Sequence, residues 1–276
     1  MRREKPLVSL ARHGVLLSTS LIMLLPFVWM VSLSLKPPSE MFDVPFRLLP
    51  NEFYGLENYQ KALTATPIAR YFVNGIIVCS GILFCQIVTA APMAYALAKV
   101  EFTGKRILFA SVLVGMLIPS QALSLPLFIL LYQLGMLDTY AGLILPSAVS
   151  PFAIFLLRQY FLTVPDDLVL AARLDGLSEW AIVWRIMVPL AKPAIGAFAI
   201  LSVVVHWNDL FWPSIVTQSP EMATPPLGVL FFKNSEAGDS YGPLMAAAVI
   251  AVSPMILTFL FAQRHFIDGL TVAKHK

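Results

Sequence analysis

Pro165-Asp166-Asp167-Leu168-Val169-Leu170-Ala171-Ala172-Arg173-Leu174-Asp175-Gly176, continuing through Leu177-Ser178-Glu179-Trp180 to Val188-Pro189 and Pro193, is the stretch on which the reading of this chain turns. It reads as a polar, capped, two-helix elbow between apolar runs. Pro165 suits a first helical position, where a missing N–H costs nothing, and Asp166 and Asp167 suit the positive end of a helix dipole. Gly176 stops that helix, because glycine enters the left-handed region freely and lets another backbone come close. Ser178 and Glu179 restart a second helix, whose apolar positions Trp180, Val183, Trp184 and Met187 fall at i, i+3, i+4 and i+7. Pro189 and Pro193 close it. A short amphipathic elbow of this kind needs a surface to press on.

The surroundings are those of a membrane. The 276 residues are 58% hydrophobic and 13% charged, with mean hydropathy +0.77, whereas soluble domains carry about a quarter charged residues. The expected fold is an all-α integral membrane protein. The net charge of +3 is spread among loops rather than gathered in a patch, so no nucleic-acid partner is expected. Cys79 and Cys85 share one apolar run, six residues and so roughly 9 Å apart along a helix and on different faces. An intramolecular disulfide does not fit. They read as small lipid- or core-facing side chains rather than redox or metal groups, and no metal site is expected.

Taken in order, residues 1–13 form an N-terminal arm with Arg2, Arg3, Lys5 and Arg12. The charge-free run 14–35 is too long for a signal-peptide core and reads as a retained first span. Residues 36–70, with Pro37, Pro38, Pro45, Pro50 and Gly55, form the longest outer loop. A core of five spans follows over 71–263: charge-free runs at 71–98, 107–137 and 139–157, then the elbow 165–193, a fifth span at 194–216 interrupted by Asp209, a loop at 217–240, and a sixth span at 241–263. Residues 264–276 are a short basic tail, which reads as an anchor at the lipid headgroups. With the N-terminus inside, fourteen of the nineteen lysines and arginines fall on inner segments. The positive-inside rule therefore favours six transmembrane helices, N-in and C-in, with the elbow as a cytoplasmic helix-turn-helix between spans four and five.

Pro26, Pro92, Pro119, Pro126, Pro146, Pro151, Pro213 and Pro254 lie inside the apolar runs. Each bends a helix and frees a carbonyl, which fits either spans bent around a cavity or ordinary packing irregularity. Asp209 is the one acidic residue inside a span. With Asn208, Trp207 and His206 it either meets a polar solute or makes a hydrogen bond across helices or at headgroup level. Gln86, Gln121, Asn74 and Gln133 are candidates of the same kind, as solute-path groups or helix–helix glue. The loop 217–240, with Pro220, Pro225, Pro226, Phe231, Phe232 and Gly238, is long enough to meet an external binding protein or to be a disordered connector.

The elbow resembles the cytoplasmic signature loop of permease subunits in binding-protein-dependent ABC importers, whose pattern is E-A-A-x-x-x-G, nine residues, then I-x-L-P. Ala171, Ala172, Gly176, Ile186 and Pro189 stand at those intervals, while Leu170 replaces the glutamate and Val188 the leucine. Arg158-Gln159-Tyr160-Phe161, Trp207-Asn208-Asp209 and Gln263-Arg264-His265-Phe266-Ile267-Asp268-Gly269-Leu270-Thr271 extend the resemblance over nearly the whole chain. They resemble the carbohydrate-uptake branch, and within it the shorter, six-span permease of maltose-type systems. The resemblance implies a multi-pass subunit of the bacterial inner membrane, importing a sugar or sugar-like solute such as a polyol, sugar phosphate or modified hexose. The implied partners are a longer, F-type second permease, two cytoplasmic ATPases that bind ATP and Mg²⁺, and an external solute-binding protein. From sequence a homodimer stays open. Ala171, Ala172, Asp175, Gly176, Trp180, Trp184, Ile186 and Pro189 become candidates for coupling to the ATPase. The Trp180/Val183/Trp184/Met187 stripe either fills a groove on that partner or packs back on the chain's own spans. The resemblance also implies that the loop 217–240 approaches the binding protein and that the basic tail touches the ATPase.

Gly104-Lys105-Arg106 is the one Gly-Lys pair and lacks both the upstream glycine spacing and the Ser/Thr of a phosphate-binding loop. Hydrolysis is expected on another polypeptide, and the chain offers no catalytic residues of its own. A self-sufficient carrier or channel is the weaker alternative, because such carriers usually need several intramembrane ionisable groups and no inverted repeat is apparent. A membrane enzyme lacks both a metal-spaced cluster and a nucleophile elbow.

Overall fold

The structure is a computed structural model. It describes residues 6–42, 44–45, 47–231 and 241–272, with side chains at these positions except 6–8, 11, 259 and 261–272. Arg2, Arg3, Lys5, Phe232 and Gly238 therefore lie outside the described residues, as do the side chains of the 263–271 motif and of the basic tail.

Every element among the described residues is helical. Three helices are long and apolar enough to cross a bilayer by themselves: α1 (Pro6–Ser34, apolar from Arg12), α3 (Ile68–Lys99) and α14 (Tyr241–Val272, apolar over Tyr241–Thr258). Three further candidates are bent pairs: α4 (Lys105–Gly115) with the segment from Ser120 through α5 (Ser124–Gln133), bent by 97°; α6 (Tyr140–Ile144) with α7 (Pro151–Thr163), bent by 47°; and the second half of the elbow with α11 (Lys192–Trp207), bent by 79°. That gives three to six spans by length and composition. The run 107–137, which reads as one span, is two helices.

Two compact units divide the chain. One holds Met1–Ile68 and Gly228–Pro254. Between α1 and α3 it carries the short helix α2 (Gly55–Thr64). The buried Asn58 amide donates to the carbonyls of Ser34 (3.0 Å) and Lys36 (2.9 Å), capping the end of α1. Asn58 also packs on Gly242, where a Cβ would fall 2.4 Å from its Oδ1.

The other unit holds Ala69–Leu227 and Met255–Lys276. Its larger apolar core joins Ala90–Leu97 of α3, Val112 of α4, Ala153–Phe161 of α7 and the elbow. A smaller core at the far end of α3 gathers Val78, Ile82, Leu131, Leu143 and Val216. The first half of the loop 217–240 is tied down beside it. Asn74 donates to the carbonyls of Glu221 (2.8 Å) and Ala223 (2.9 Å), Arg70 to that of Glu221 (3.0 Å), and the Asp138 carboxylate accepts from the N–H groups of Gln218 and Ser219. The segment continues into α13 (Pro225–Leu230).

Candidate coupling surface

The elbow folds as its local chemistry dictates. Pro165 is the cap residue before α8 (Asp166–Leu174), one position earlier than the first-turn reading, so Asp166 and Asp167 open the helix. Gly176 has φ +80°. The N–H groups of Gly176 and Leu177 return to the carbonyls of Arg173 and Ala172, both at 3.0 Å, closing the helix with a Schellman motif. A Cβ at Gly176 would meet nothing within 4 Å. The glycine is there for its backbone angle, and among the described residues no backbone comes close to it. Ser178 then caps α9 (Glu179–Ile182), its hydroxyl accepting from the Ala181 N–H. The helix widens into a π turn at Val183–Met187 and resumes as α10 (Val188–Leu190). Pro189 has no N–H to return to Arg185, which accounts for the irregular turn ahead of it.

The two faces of the elbow differ. Val169, Ala172, Ile182, Val183 and Met187 are buried in the core that the elbow shares with α3, α4 and α7. Leu170 and Leu174, four apart and so on one face, are exposed, as are Leu168 and Trp180; Leu174 reaches 89%. The Trp180 and Trp184 rings meet edge to face at 5.8 Å. The i, i+3, i+4, i+7 stripe is therefore split. Val183 and Met187 pack back on the chain's own spans, while Trp180 is exposed and touches the half-buried Trp184. Ala171, Asp175 and Pro189 are exposed, Ala172 is buried, and Ile186 is half-buried against the core.

Polar contacts tie the elbow to the end of α3 and to α7. The Lys99 ammonium, its side chain 5% exposed, reaches Asp166 (2.5 Å) and the Val164 carbonyl (2.6 Å). Tyr95 donates to Glu179 Oε2 at 2.5 Å, and Arg173 grips both oxygens of that carboxylate at 2.7 and 3.1 Å. Arg158 donates to the Leu97 carbonyl (3.2 Å) with its guanidinium over the Phe109 ring, and Tyr160 donates to the Leu190 carbonyl (2.9 Å). Hydrogen bonding from Lys99 holds the Asp166 carboxyl below its usual range. Arg173 first, then Tyr95, holds Glu179 low, and Glu179 in turn raises Arg173. The sequence pattern does not mark Tyr95 or Lys99 as partners of the elbow. The one available signal was a cation and an acid, Arg173 and Glu179, placed across the glycine stop.

The solute-path candidates are not brought together. Gln86 is saturated: its amide nitrogen faces the Ser147 carbonyl (3.0 Å) and the His206 ring (3.3 Å), and its oxygen accepts from Ser202 (2.7 Å). Trp207 is buried against Phe72. Asn208 folds back on the Val204 carbonyl and Asp209 accepts from the Trp212 N–H, so the motif ends α11 and starts α12 (Phe211–Val216). Gln121 is exposed at the bend between α4 and α5. Of the weaker candidates, Asn74 is buried in the loop anchor described above and Gln133 is exposed at the end of α5.

The family described as binding-protein-dependent transport system inner membrane component matches residues 86–272. The chain is 39% identical to the arabinooligosaccharides transport system permease protein AraQ of Bacillus subtilis, covering 99% of this chain and 98% of that one. It is 32% identical to the diacetylchitobiose uptake system permease protein NgcG of Streptomyces coelicolor, over 94% and 86% of the two chains. It is 30% identical to the sn-glycerol-3-phosphate transport system permease protein UgpE of Brucella suis, over 98% of each. Among solved structures, a chain of a bacterial ABC transporter involved in the import of the acidic polysaccharide alginate aligns with TM-score 0.82 at 25% identity, covering 96% of this chain and 99% of that one.

Proposed function

Because the chain belongs to the binding-protein-dependent transport system inner membrane components, we propose that it is the six-span permease of an ATP-driven importer for a sugar or sugar-like solute. The relatives' names, which include arabinooligosaccharides, diacetylchitobiose and sn-glycerol-3-phosphate, support an oligosaccharide or sugar-phosphate class. The proposed topology is N-in and C-in in a bacterial inner membrane, with the runs 107–137, 139–157 and 194–216 as spans three to five and the elbow on the cytoplasmic side. The solute passes by alternating access between this chain and a second, longer permease. Two cytoplasmic ATPases hold ATP and Mg²⁺, and an external binding protein delivers the solute against the anchored loop that begins at Thr217.

The observation that carries this reading is the elbow. Exposed apolar side chains, Leu170 and Leu174 on the first helix and Trp180 on the second, stand on a helix pair locked to α3 by Lys99 and Tyr95, in a chain without a phosphate-binding loop of its own. Packing splits the coupling candidates. Asp175, Gly176, Trp180 and Ala171 meet the ATPase, while Ala172, Ile186 and Trp184 hold the elbow's shape and Pro189 sets its irregular turn.

The test is affinity capture of the tagged chain from mild-detergent membranes with mass-spectrometric identification of partners. Recovery of a P-loop ATPase and a second permease is expected. A chain recovered alone and monodisperse, which moves solute by itself in liposomes, would overturn the reading in favour of a carrier.

A further inference from the structure

The break inside the third apolar run leaves backbone groups exposed and unpaired. α4 starts at Lys105 and Arg106 and is eleven residues long, a rise of about 16 Å, or roughly half of a ~30 Å hydrocarbon layer. The chain then turns through 97°. Across the turn the carbonyls of Gly115, Met116, Leu117 and Ile118, and the N–H groups of Ile118, Ser120 and Gln121, have no hydrogen-bond partner among the described residues. The segment is also exposed, Leu117 to 81%. Pro119 contributes by supplying no N–H of its own.

Hydrocarbon does not accept such a surface. Free backbone groups at membrane depth persist only where protein or cavity water meets them. The side chains agree with a wet face. Ser120 donates to Gln121 Oε1 (3.3 Å), and the Gln121 amide N–H₂ has no partner among the described residues. Gln86, by contrast, has both amide atoms engaged within the chain, and Asp209 accepts from the Trp212 N–H. No charged side chain lies between Arg106 and Asp138, so beside the exposed Met116, Leu117 and Ile118 side chains the turn offers neutral backbone and amide donors and acceptors, which match a neutral polyhydroxylated solute and its water.

We propose that residues 115–121 line the aqueous solute path, with the four free carbonyls, Ser120 and the Gln121 amide as transient partners for solute hydroxyls; this rests on the importer reading above. The test uses the assembled transporter in proteoliposomes, with Leu117→Cys, Ser120→Cys and Gln121→Cys exposed to a charged, membrane-impermeant methanethiosulfonate. Labelling is read by mass spectrometry of the peptide, so Cys79 and Cys85 stay in place. Phe84→Cys, on an exposed apolar face of the regular helix α3, is the control. The Gln121→Cys thiol is expected to react about tenfold faster than the control, as a water-lined position must. Its rate is also expected to change between nucleotide-free and vanadate-trapped states. A rate equal to the control, from lipid or a dry contact with the second permease, overturns the inference, and so does fast labelling that is the same in both states. Should the variants fail to assemble, amide exchange of Ile118, Ser120 and Gln121 in the unaltered complex replaces them. Fast exchange at these unpaired groups is expected, and protection equal to that of mid-α3 overturns the inference. Only preparations with active ATPase are scored, so a negative result counts against the path, whereas a chain that recruits no ATPase counts against the importer reading.

Discussion

Tyr95, near the end of α3, donates a 2.5 Å hydrogen bond to Glu179 at the start of the elbow's second helix. Arg173, from the first helix, grips the same carboxylate. One acid therefore joins three helices, and a force applied to the elbow's outer face reaches α3 without first bending the elbow. Tyr95→Phe removes one hydrogen bond at a cost of about 1 kcal/mol. It is expected to leave assembly intact while lowering solute moved per ATP hydrolysed. Parallel uptake and ATPase assays in proteoliposomes check this; unchanged stoichiometry would mean that the contact is only structural.

The same carboxylates set a pH response. Glu179 and Asp166 are held below their usual values of 4.5 and 3.8 by Arg173 and Lys99. A carboxyl depressed in the folded state stabilises above its unfolded pKa and loses that contribution as pH falls through the folded value. The elbow should be equally protected at pH 7 and pH 5.5 and should loosen below about pH 4.5. Limited proteolysis or amide exchange over 165–193 reads this out, with Glu179→Gln already loosened at pH 7. Both acids are largely exposed, so the effect on global stability is small.

Gly176 offers a cleaner probe than a bulky replacement. Because its φ is +80° and a Cβ there meets open space, Gly176→Ala is expected to cost about 1 kcal/mol from backbone strain alone, and Gly176→Asn less, since asparagine tolerates the left-handed region. Uptake should fall in the order Gly, Asn, Ala. Equal loss with both variants would mean that a partner backbone fills the space.

Gln86 and Asp209 separate brace from solute contact. Gln86→Leu strands the Ser147 carbonyl and the Ser202 hydroxyl and is expected to destabilise by about 2 kcal/mol, lowering Tm without altering solute preference. Asp209→Asn keeps an acceptor for the Trp212 N–H and should transport normally, while Asp209→Ala loses a cap contribution of about 1 kcal/mol. A changed solute preference in any of these, measured by competition uptake, would return the residue to the solute path.

What sequence could reveal follows the range of the interactions. The elbow was legible because its signals are local: a proline and two aspartates at the start, a glycine requiring positive φ, and a serine cap. Its buried side was not, because a helical stripe does not say which half faces inward, and Val183 and Met187 went to the core while Trp180 did not. Helix α2 escaped notice because its polar surface and flanking prolines look like a loop, and only the long-range bonds of Asn58 to Ser34 and Lys36 explain its place. The run 107–137 looked continuous because hydropathy records burial in lipid and is blind to the unpaired backbone between Gly115 and Ser120.

Contact between the elbow's exposed side chains and a partner ATPase is read out by a photo-reactive benzoylphenylalanine at Leu174 in membranes expressing the full system. Cross-linked product containing a chain with a phosphate-binding Gly-rich loop is the expected result, absent when the same group replaces Leu162, an exposed residue on the flank of α7. Adducts to lipid alone, or equal capture from both positions, would contradict the account.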